Sequence, residues 1–71
     1  MPERDRVILA AIEAFFAEHG RGPSWDDIAA IAKVRSRDTL SDSMRRLRAG
    51  GYIATGPVPV RAIAQLARTR A

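Results

Sequence analysis

Apolar residues recur three and four apart over the first part of the chain: Val7, Ile8, Ala11, Ile12 and Phe15 share one side, which Leu9 and Phe16 widen. With acids in the opening turn and Gly20 placed to leave the helix, this period predicts a first helix over about residues 3–19 that packs against another element. "GRGPSWDDIAAIAKV" then reads as a turn and a short helix over about 25–33. Pro23 blocks continuation of the first helix, Ser24 offers an N-cap oxygen, and Asp27 stands at the acidic position of a capping box. Ile28, Ile31 and Ala32 are its expected buried stripe, with Trp25 on the flank. A second cap, Ser36, opens a third helix over about 37–49, in which Leu40, Met44 and Leu47 share a face before Gly50 and Gly51 release the backbone. Asp38, Asp42, Arg45 and Arg46 fall on the opposite face.

Beyond the glycines the helical period stops. "YIAT" has strand composition, "GPVP" reads as a turn stiffened by Pro57 and Pro59, and "VRAIAQL" reads as a returning strand. A hairpin over about 52–66 is expected. Two strands alone are marginal in water, so it must lean on the helices through Ile53 and Ile63. The tail, 67–71, reads as disordered. The fold class that follows is mainly α with a small β-hairpin, one domain over 1–71. Helix, short helix, brief connection, polar-faced helix and hairpin is the order of a three-helix winged helix-turn-helix. In that fold the second helix of the turn enters the major groove of DNA, and the hairpin can touch phosphates alongside.

Composition narrows the functions open to such a domain. Seventy-one residues leave little apolar surface to bury, which argues against a large enzyme cleft. Cysteine is absent and histidine occurs once, so neither a disulfide framework nor a ligand set for a metal is expected. His19, in the last turn of the first helix, suits the helix dipole better than catalysis, and no cofactor is expected. The charged start and the lack of an apolar run of about 18 residues point to a cytoplasmic chain without a membrane partner. The 12 Lys+Arg against 8 Asp+Glu give a net charge of +4, and every cation but Lys33 is arginine. Arginine's planar fork suits phosphates and guanine edges, which favours a nucleic-acid partner.

The segment "GRGPSWDDIAAIAKVRSRDTLSDSMRRLRAGGYI" resembles the DNA-binding domain of LexA-type repressors. Gly20, Pro23, Ser24, Ile28, Ala29, Arg35, Ser36, Leu47, Gly51 and Ile53 keep that family's pattern. Asp27 stands for its Glu and Met44 for its Leu, and Arg61 to Ile63 sit where its second wing strand often reads R-G-I. The resemblance implies a transcriptional repressor whose third helix reads operator bases, and it maps that role onto Ser36, Asp38, Thr39, Ser41 and Asp42. Asp38 replaces the usual Asn, and Thr39, Ser41 and Asp42 depart from the family's run, so a different operator is implied. The family's self-cleaving protease domain has no counterpart in these residues, which implies a fragment or a stand-alone relative.

Double-stranded DNA is therefore the expected partner, bound by a monomer or weak dimer that pairs mainly on DNA. Arg45 joins the expected base-reading set. Ser24, Trp25, Arg35, Arg37, Arg46, Arg48 and Arg61 are the expected backbone contacts, using helix N-termini and arginine forks. Each has a plainer reading as a packing residue or a solvated face. Asp38 and Asp42 likewise suit either plain helical roles, Asp38 with the helix dipole and Asp42 with Arg45 and Arg46 at helical spacings, or a cytosine amino group. The alternative functions are backbone DNA binding in packaging or replication, and protein–protein interaction.

Overall fold

A computed structural model of the chain describes residues 1–54 and 57–60. It contains α1 (Glu3–His19), α2 (Trp25–Ala32), α3 (Arg37–Ala49) and two short strands, β1 (Ile53–Ala54) and β2 (Val58–Pro59). The architecture is mainly helical with one antiparallel hairpin, as expected for a winged helix-turn-helix.

Each helix end has a local cause. Gly20 stops α1 in the left-handed region at φ 72, donating its N–H to the Phe16 carbonyl. At α2 the capping box is reciprocal: the Asp27 N–H donates to Ser24 Oγ, and the Ser24 N–H donates to Asp27 Oδ2, both at 3.1 Å. Ser36 Oγ accepts from the Thr39 N–H at 3.4 Å and opens α3. At the far end of α3 the Tyr52 N–H reaches back to the Leu47 carbonyl at 2.9 Å and the Gly51 N–H to that of Arg48 at 3.1 Å. These two bonds form a Schellman motif, which needs the positive φ of 78 at Gly51.

The core is one cluster: Ile8 and Ile12 from α1, Ile28 from α2, Leu40, Met44 and Leu47 from α3, and Ile53 from β1. Burying each such side chain contributes about 1.5–3 kcal/mol. Helix α1 is the spine, packing on α2, α3 and β2. It thereby fixes one face of α3 and leaves the other outward.

Three expectations change. Ile31 is 50% exposed, because α2 meets the core through Trp25, Ile28, Ala29 and Ala32, which leaves Ile31 at its outer edge. Val7 is 44% exposed for the same reason on α1, whose covered side runs through Asp5, Ile8, Ala11, Ile12 and Phe15. The returning strand is Val58–Pro59, inside the segment read as the turn, with Ile53 opposite Pro59 and Ala54 opposite Val58. Proline lacks a ladder donor but is tolerated in a short edge strand, and here Pro57 and Pro59 are both buried. Ile63, Arg61 and the tail 67–71 lie outside the described residues.

Candidate nucleic-acid interface

The turn preceding α2 places Ser24 exposed and Trp25 half-buried at the helix start. The Ser24 N–H, and after it the Ser24 hydroxyl, hold the Asp27 carboxyl below the usual carboxylate range. Arg37, the first residue of α3, lies across the turn with its guanidinium 5.6 Å from the centroid of the Trp25 ring. Its Nη2 is 3.8 Å from Asp26 Oδ1. The pair is solvated and adds little stability, but it draws Arg37 over the indole.

Along α3, Leu40, Ser43, Met44 and Leu47 are buried. Around the other side Asp38, Asp42 and Arg45 are exposed and Thr39 and Ser41 half-exposed, with the exposed cap Ser36 in front. Asp42 Oδ1 lies 3.7 Å from Arg45 Nη2, one turn on. Both side chains are more than half exposed, so the pair is weak and open to exchange for another partner. Arg35 and Arg48 are exposed and make no ion pair among the described residues.

Arg46 departs from its expected place beside Arg45. It turns to α1 instead, where its Nε donates to Asp5 Oδ2 at 2.7 Å and its Nη2 to Asp5 Oδ1 at 2.9 Å. The same Nη2 lies 3.3 Å from Ser43 Oγ. Asp5 is 1% exposed, whereas the Arg46 side chain is half-exposed. The Arg46 fork holds the Asp5 carboxyl below its usual range, against the opposing effect of burial and with help from the Ser43 hydroxyl. This arginine is thus committed within the fold: it fastens the middle of α3 to the first turn of α1.

Asp5, Asp26 and Ser43 have no role in the sequence reading. Ser43 carried a usable signal, since positions 40, 43, 44 and 47 form a complete helical stripe with one polar member. A buried hydroxyl in such a stripe calls for a polar partner. The partner's identity carried none, because Asp5 and Arg46 stand 41 residues apart.

Among the described residues no cluster of three or more His, Cys, Asp or Glu is placed to hold a metal, and no helix is long and apolar enough to cross a membrane. Neither a protein-family model nor a solved structure matches the chain. Over 66 residues it is 33% identical to LexA repressor 1 of Nocardia farcinica (strain IFM 10152), a stretch that covers 86% of this chain and 31% of that protein. The chain is thus similar to a repressor over most of its own length, while spanning about a third of the length of that relative.

Proposed function

We propose that this chain is a duplex-DNA-binding domain of a transcriptional regulator, reading the major groove with α3. The observation that carries the reading is the two-sidedness of α3. One face is locked to α1 by Leu40, Ser43, Met44, Leu47 and the Arg46–Asp5 fork, while the other turns Asp38, Asp42 and Arg45 outward behind the exposed cap Ser36. A groove-reading helix needs a rigid mount and a free polar face. The likeness to a protein named LexA repressor supports the same reading.

In this function Ser36, Asp38, Thr39, Ser41, Asp42 and Arg45 face base edges. Ser24, Trp25, Arg35, Arg37 and Arg48 meet phosphates, and Arg46 mounts the helix. Asp38 and Asp42 accept from cytosine amino groups, and their repulsion from phosphates penalises wrong registers. Two copies meet on adjacent half-sites, whereas the free chain is monomeric or weakly associating.

Selection of bound duplexes from a random pool tests this directly. The expected result is a preferred site favoured over random duplex by roughly 10³-fold or more. Equal binding to all sequences with a steep salt slope would make the domain a backbone binder, and no duplex binding at low salt would make it a protein-interaction module.

A further inference from the structure

We propose that the concave corner between the start of α1 and the α2–α3 turn is a phosphate-binding cleft that takes a backbone phosphate of the bound duplex; this rests on the function proposed above. The cations of the described residues divide into two sets. Along α3 three of them are already partnered: Arg37 by Asp26, Arg45 by Asp42 and Arg46 by Asp5, at 3.8, 3.7 and 2.7 Å. Among the unpaired ones, three come from three separate elements to line a single cavity of about 280 Å³. Arg4 comes from the first turn of α1, Lys33 from the end of α2, and Arg35 from the connection.

The rest of the lining suits an anion. Val34 supplies a half-buried apolar wall, Ser36 and Thr39 supply hydroxyls, and no carboxylate among the described residues lines the cavity. Three positive charges around a concavity with a low-dielectric wall focus the field into it. Two arginine forks and one ammonium point charge give the donor chemistry of a phosphate site. The cleft meets the proposed reading face at Ser36 and Thr39, and Arg35 and Ser36 also line the neighbouring groove with Trp25, Asp26 and Arg37. A phosphate held there would lie beside the start of α3, next to the groove that helix enters. The duplex is favoured over a free anion by this continuity.

Lys33 provides a clean test. It closes α2 at φ 58, in the left-handed region where glycine is the usual residue, so Lys33→Gly removes the charge without straining the backbone. Duplex binding is measured by fluorescence anisotropy across a series of NaCl concentrations for the unaltered chain, Lys33→Gly, Arg4→Gln with Lys33→Gly, and Arg21→Gln. Arg21 is a control cation just beyond the opposite end of α1, stacked on Phe15 at 5.0 Å. The expected result is a salt slope shallower by about 0.9 for each phosphate no longer neutralised, equal weakening of preferred and random duplexes, and no change for Arg21→Gln. Melting temperatures should show Lys33→Gly folded. Unchanged slopes in the cleft variants, with tight binding by the unaltered chain, would overturn the cleft and leave the DNA-binding function standing. If the unaltered chain binds no duplex, the function fails, and with it the duplex as occupant. Inorganic phosphate that then shifts the Ser36 and Thr39 amide resonances in the unaltered chain but not in Lys33→Gly would show a free-anion site instead.

Discussion

Removing either partner of the Asp5–Arg46 fork should destabilise the domain, and each removal should weaken the dependence of its stability on acid pH. In Asp5→Ala two charge-assisted hydrogen bonds disappear, each worth about 1.5–3 kcal/mol net when fully enclosed. Arg46 is half-exposed and regains water, so the net loss is about 2 kcal/mol, or roughly 8–16 °C in Tm for a domain of this size. In Arg46→Ala the carboxylate, 1% exposed with the arginine in place, loses its principal donor, so a comparable or larger loss is expected. The folded Asp5 carboxyl is held below its ordinary value of about 3.9. Its contribution is therefore complete above that pH and is lost as pH falls through the ordinary value towards the folded one. Asp5→Ala should flatten this acid limb. In Arg46→Ala the largest influence lowering Asp5 is gone while burial still opposes the rest, so the folded value moves back towards the ordinary one and the acid limb shrinks. Urea unfolding followed by circular dichroism at pH 3, 4, 5 and 7 gives all three profiles. An Arg46→Ala variant with the same acid limb as the unaltered chain would refute the account, since another group would then be responsible for it.

Ser24→Ala removes one arm of the capping box and should cost about 1 kcal/mol, with the α2 amides exchanging faster than those of α3 in a hydrogen-exchange experiment. Leu40→Ala, at 1% exposure, should cost about 2–5 kcal/mol and leave a domain of this size largely unfolded on warming, seen as loss of the cooperative melt. Ile31→Ala, at 50% exposure, should cost less than about 1 kcal/mol by the same assay. Asp38→Ala and Asp42→Ala should keep the fold, tighten binding to random duplex, and each narrow the gap between preferred and random sites by about 1–3 kcal/mol at one base pair, measured by competition binding.

Sequence alone determined whatever is settled within about one helical turn. The period of Ile8, Ala11, Ile12 and Phe15, the Ser24–Asp27 box, the Ser36 cap and the left-handed glycines at 20 and 51 specify three helices and their ends, because each rests on residues no more than four apart. The polar face of α3 was legible for the same reason: a helix with one apolar stripe must leave its other side outward once that stripe finds a core. Tertiary structure decided which of several similar charges would be used. Arg45 and Arg46 are adjacent and chemically identical, yet a rotation of about 100° between neighbours puts one on the outer face and the other against α1, where a covered carboxylate already waits. The pairing of Ile53 with Pro59 and the burial of Pro57 and Pro59 depend on contacts across the hairpin and with the helices, which the composition of the segment does not carry. The gathering of Arg4, Lys33 and Arg35 around one cavity was decided by the packing of α1 across the α2–α3 turn, since charge on a chain has no address until the elements carrying it have been brought together.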